Sequence, residues 1–178
     1  MNAFLSMAWQ LVSFRAGPER LPYQPRLLPV LLILNLLLTA AVQQFTDEGM
    51  DRPVLLVSAL SLAVEAVWLG FLLQRRGWRN RWMQSYSALV LVDMVITALA
   101  APLVLAVRQG GDSLVGLILV LQLVMSLWSI SVRGFIYQRS FECGRWRGIL
   151  LAMVPLFLVM LITLQLFPEL LPATPRGT

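Results

Sequence analysis

The sequence contains no lysine, no histidine and a single cysteine, and only 13% of its 178 residues are charged. Each absence removes a class of chemistry. Without histidine there is no imidazole to act as acid, base or metal ligand near neutral pH, and no familiar hydrolase triad can be assembled. The lone thiol, Cys143, can form neither an intramolecular disulfide nor a thiolate and imidazole metal site. Glycine-rich phosphate loops, HExxH and paired cysteines are also missing. These gaps point to a protein that is not an enzyme and has no metal or cofactor. A soluble domain carries about 25% charged residues, so the charge deficit argues against a soluble fold as well.

What the chain has instead is apolar surface: 58% of its residues are hydrophobic. The apolar stretches are long enough for a helix to cross a bilayer, which takes about 20 residues. Five spans are expected, over residues 27–45, 53–73, 83–107, 113–137 and 148–167, with a tail at 168–178. Pro29 falls near the start of the first span, where it is tolerated. Pro102 marks an expected kink in the third, and Pro155 falls in the first half of the fifth. The fold expected is a single all-α integral membrane domain.

The first sixteen residues read as a helix with a narrow uncharged polar stripe of Asn2, Ser6, Gln10 and Ser13 on an otherwise apolar surface. Such an amphipathic helix is expected to lie in the headgroup boundary with Trp9 and Phe14 immersed, or else to dock against the other helices. Residues 17–26 follow as a stiff elbow, because the stretch from Arg15 to Pro25 holds three prolines and a glycine. The first 26 residues do not read as a cleavable signal.

All fourteen basic residues are arginine and nine residues are acidic, which gives a net charge of +5. Their placement matters more than their sum. Ten arginines flank the spans on one side: Arg15, Arg20, Arg26, Arg75, Arg76, Arg79, Arg81, Arg139, Arg145 and Arg147. Only Arg52, Arg108 and Arg176 fall on the other, among Asp47, Glu48, Asp51, Asp112 and Glu169. By the positive-inside rule the N-terminus is expected in the cytoplasm and the C-terminus in the periplasm or outside. The charge thus encodes orientation rather than a nucleic-acid-binding face. A bacterial inner membrane is the expected location. Trp9, Trp78, Trp82 and Trp146 fall near the arginine-rich ends, as interfacial anchors do. The cluster Arg75, Arg76, Trp78, Arg79, Arg81 and Trp82 is expected to attract anionic lipid headgroups.

Three charges lie inside apolar spans: Glu65, Asp93 and Arg133. A charged group near mid-bilayer costs at least about 2.5 to 3.5 kcal/mol, so each is expected to have a partner. Each also continues a polar helical stripe. Glu65 extends Ser58 and Ser61, Asp93 aligns with Tyr86 and Thr97, and Arg133 follows Gln122, Ser126 and Ser129 and precedes Tyr137. Asn35 forms a similar row with Thr39 and Gln43. At about 1.5 Å per residue, Asn35 and Glu65 lie about 12 Å deep, Asp93 about 15 Å and Arg133 about 6 Å with a long side chain. The expectation is that these stripes turn inward. Arg133 should then pair with Glu65, Asp93 or both, with Asn35 adding hydrogen bonds. The cluster reads either as a clamp that fixes helix register or as a proton or ion route through Glu65 and Asp93. In the second span, Ala59, Ala63, Ala66 and Gly70 form a small-residue face suited to close helix approach.

The segment Gly-Pro-Glu-Arg-Leu-Pro-Tyr-Gln-Pro, followed by five closely spaced spans, resembles the topology of small bacterial membrane proteins of the Yip1-like family. The resemblance implies a compact non-enzymatic protein of membrane organisation, trafficking or assembly. An accessory or scaffold subunit with other membrane subunits as partners is therefore the expected role, with a small transporter or proton-conducting subunit as the alternative.

Overall fold

A computed structural model describes residues 2–44, 54–109 and 112–167. Arg52 and Arg176, with Asp47, Glu48, Asp51, Glu169 and the expected tail at 168–178, lie outside the described residues. The structure is helical, with no strand among the described residues. Its helices are α1 (Asn2–Val12), α2 (Leu27–Gln44), α3 (Val54–Arg75), α4 (Trp82–Gln109), α5 (Asp112–Phe141) and α6 (Arg145–Leu166). Short 3-10 turns at Pro18–Arg20 and Arg79–Arg81 shape the connections before α2 and α4. The five helices α2 to α6 are long and apolar enough to cross a membrane. Helices are the economical choice there, because every backbone hydrogen bond closes within the segment. Helix α4 continues through Pro102 and α6 through Pro155.

Helix α4 is the centre of the bundle. Every residue from Ser85 to Val92 is buried, so no face of this stretch looks outward. It packs against α1, α2, α3 and α5. On one side it meets α3 through two aromatic donors a turn apart: the Trp82 indole donates to the Ala66 carbonyl at 3.0 Å and the Tyr86 hydroxyl to the Leu62 carbonyl at 2.7 Å. Their rings stack at 5.3 Å. Removing the deeper bond with Tyr86→Phe is expected to cost about 1 kcal/mol. Thermal unfolding in one detergent would read this, and an unchanged midpoint would refute it.

Helices α5 and α6 approach closely. A Cβ added at Gly148 would sit 2.8 Å from the backbone nitrogen of Gln138, and one at Gly134 would sit 3.0 Å from the Cα of Ile149. These two glycines make the crossing possible near the arginine-bearing end. The small-residue face of α3 has a different use. Ala59 and Ala63 are exposed, while Ala66 and Gly70 receive the flat indole of Trp82 rather than a neighbouring helix backbone.

The N-terminal helix packs against α4 and α5, as the docked alternative expects. Its Ala8, Leu11 and Val12 are buried, and the Trp128 indole donates to the Val12 carbonyl at 3.2 Å. Trp128 lies thirteen residues before the end of α5 at Phe141, which is about 20 Å along the helix. The end of α1 is therefore level with the middle of α5. From there the chain runs back beside α5, with Phe14 edge-on to Phe135 at 5.6 Å and Glu19 3.8 Å from Arg139. The buried side of α1 is covered by protein, while Trp9 stays 60% exposed.

Candidate functional site

Arg133, on α5, reaches across two helices. Its Nη1 donates to both oxygens of Glu65 on α3, at 2.7 Å and 2.8 Å, and its Nη2 donates to Oδ1 of Asp93 on α4. The local reason is register. Side chains on a helix tilt toward its N-terminus, and the long guanidinium stem carries the charge from Arg133 toward mid-span, where the two acids lie. Planar guanidinium with several fixed donors suits one bidentate carboxylate and a second beside it. The arrangement joins α3, α4 and α5 through one side chain.

The three members differ in accessibility. The side chains of Glu65 and Arg133 are 2% and 7% exposed, whereas that of Asp93 is 21% exposed. Two carboxylates share one guanidinium, and Asp93 is the more accessible of the two. Among the described residues, neither Arg133 Nε nor the buried Tyr137 hydroxyl one turn along α5 has a hydrogen-bond partner.

The remaining residues of the sequence-derived cluster are placed variously. Asn35 is buried on α2, which packs on α4, yet among the described residues no hydrogen bond joins its amide to the triad. Its backbone carbonyl instead accepts from the Thr39 hydroxyl at 3.0 Å. Ser58, Ser61, Thr97 and Ser129 are half-buried. Gln122 and Ser126 are exposed, and the Ser126 hydroxyl turns back to the Gln122 carbonyl at 2.9 Å. The inward turn expected of the whole α5 stripe thus holds for Arg133 and Tyr137 and fails nearer the N-terminal end of the helix. Packing explains the difference: burial on α5 concentrates between Val132 and Phe141, around the Gly134 and Gly148 crossing, and falls away beyond it.

A buried hydroxyl pair extends the α5 stripe at the other end, where Ser140 donates to Ser85 at 2.7 Å. The stripe expected from the sequence ends at Tyr137. The signal was present, because Ser140 follows Tyr137 by three residues on the same face.

The arginine cluster before α4 is largely occupied by protein. Arg76 donates to the Phe141 carbonyl at 2.9 Å, satisfying a free group at the end of α5. Arg81 pairs with Glu142 at 2.7 Å. Glu142 has a positive φ of 48°, a left-handed conformation that turns the chain between α5 and α6. Trp78 lies beneath the guanidinium groups of Arg76 and Arg81, at 5.7 Å and 4.7 Å from the ring centre. Arg75 covers Phe71 at 4.6 Å. Arg79 is exposed and makes no ion pair among the described residues. A polar cavity of about 570 Å³ opens beside this corner, lined by Glu19, Gln84, Ser85, Gln138 and Ser140 among others.

A scan against protein-family models and searches of curated proteins and of solved structures each find no match to this chain. The expected resemblance to the Yip1-like family finds no support in them.

Proposed function

We propose that the chain is a non-enzymatic accessory or assembly subunit of a membrane complex, in which the Arg133, Glu65 and Asp93 triad fixes the packing of α3, α4 and α5. The observation that carries this reading is the open half of α5. From Leu117 to Leu127 only Ile118 is buried, and the Gln122 amide looks outward among leucines and valines. An amide facing acyl chains gains from a hydrogen-bonding helix, and none is supplied there among the described residues. The excess of arginines around one set of helix ends supports an inner-membrane placement with the N-terminus in the cytoplasm and the C-terminus outside. Anionic headgroups would gather at that end.

The test is site-specific photocrosslinking in intact membranes. A crosslinker at position 122 is expected to capture another membrane subunit, and one at Leu161 on the exposed side of α6 is not. Monomeric protein with no crosslink at 122, together with proton flux in liposomes, would overturn the reading.

A second reading, a proton-conducting subunit, is favoured by one specific observation: Asp93 is partly accessible and shares the Arg133 guanidinium with Glu65. Under that reading Asp93→Asn abolishes flux in reconstituted vesicles.

A further inference from the structure

We propose that the outer face of α3 holds one anionic glycerophospholipid, with its phosphate on Arg79 and an acyl chain along the helix. The site is a groove of about 540 Å³ whose lining changes character along its length. Ala66, Val67 and Phe71 make an apolar wall, and Gln74, Arg79 and Asn80 make a polar rim. The order matches a phospholipid in a leaflet: rim at the membrane boundary, wall in the hydrocarbon.

Three features make this more than a stretch of greasy helix. First, the groove is built. The Trp82 indole is held against α3 by its bond to the Ala66 carbonyl, and a Cβ at Gly70 would come within 3.1 Å of that indole nitrogen. Second, the groove continues. Val67 and Phe71 also line a second, almost wholly apolar groove of about 390 Å³ that reaches Ala63 and Leu158 between α3 and α6. From Gln74 to Ala63 the wall runs about 16 Å at the helical rise. Third, the charge is available. Arg76 and Arg81 are committed to Phe141 and Glu142, whereas Arg79 has no ion pair among the described residues, and no acidic residue lines the groove. The rim amides add donors suited to phosphate oxygens.

The inference rests on the reading of the arginine-bearing end as the bilayer boundary, and it names the lipid partner there. It is tested on the full chain by native mass spectrometry during titration with dioleoyl phosphatidylglycerol or dioleoyl phosphatidylcholine. One phosphatidylglycerol per chain is expected to be retained in preference to phosphatidylcholine. Arg79→Gln is expected to weaken retention about fivefold, the effect of roughly one interfacial arginine. The charge-matched control Arg147→Gln, at an exposed position in the first turn of α6, should leave it unchanged. Val67→Trp should fill the wall and abolish retention without disturbing the core, since Val67 is 71% exposed. Unaltered unfolding midpoints would show that both α3-side variants fold. Equal loss with Arg147→Gln, equal retention of phosphatidylcholine, or full retention by Val67→Trp would overturn the site. Failure of the chain to insert into vesicles of any composition would overturn the boundary reading and the site together.

Discussion

Arg133→Gln is expected to destabilise the protein by about 3 to 5 kcal/mol, the usual cost of removing one partner from a buried ionic cluster. Glutamine keeps two donors but no charge, and it is too short to span from α5 to both acids. Glu65 is only 2% exposed, so it would be left ionised without a counter-charge or forced to take a proton. The damage should be reversible by chemistry rather than by size. Combining Arg133→Gln with Glu65→Gln and Asp93→Asn removes every charge and should recover much of the loss, because a neutral cluster has no unpaired ion to desolvate. Asp93→Asn alone should be mild, since it leaves one arginine with one carboxylate in bidentate contact. Chemical or thermal unfolding in a fixed detergent would rank the four proteins. A single Arg133→Gln variant as stable as the parent would remove the clamp from the account of this fold.

Gly148→Val should cost about 3 kcal/mol, the upper end of the usual cost of overpacking, because the clash is with backbone rather than with a movable side chain. A Cβ at this position would lie 2.8 Å from the Gln138 nitrogen and 3.0 Å from the Gln138 Cβ, and closer still to the Gly134 carbonyl oxygen. Helices α5 and α6 would have to separate, and the burial of Ala152, one turn along the same face of α6 as Gly148, would go with them. Gly116→Ala supplies the contrast, since nothing lies within 4 Å of a Cβ there. Monodispersity and unfolding midpoint, measured side by side, should fall for the first variant and hold for the second. Equal behaviour of the two would mean that the crossing is not tight.

The spans were legible in the sequence because membrane solvent imposes a length, and long apolar runs between arginine-bearing turns meet it. The triad was legible for a related reason: Glu65, Asp93 and Arg133 are too costly in an apolar span to stand alone, and only Arg133 has a side chain long enough to serve both acids. Other features escaped. Periodicity says that Gln122 and Arg133 share a face of α5, but it cannot say that neighbouring helices cover one end of that face and not the other. Asn35 lies on the correct helix face, yet a side-chain amide is short and its bonding depends on rotations that no spacing encodes. The Ser85 and Ser140 pair joins residues 55 positions apart, and each serine alone looks unremarkable. The apolar face of α1 was visible, but whether lipid or protein would cover it was a matter of tertiary fit.

That last point bears on how the chain is made. Val12 is synthesised 116 residues before Trp128, the side chain that holds its carbonyl. At about 5 to 20 residues per second, some 6 to 23 seconds separate the two. For much of that interval α1 has left the ribosome while the wall that will receive it has yet to be translated. The docking of α1 is therefore a late event in biogenesis, and until α4 and α5 are in place its leucines and aromatic side chains need shelter from the lipid surface or from the insertion machinery.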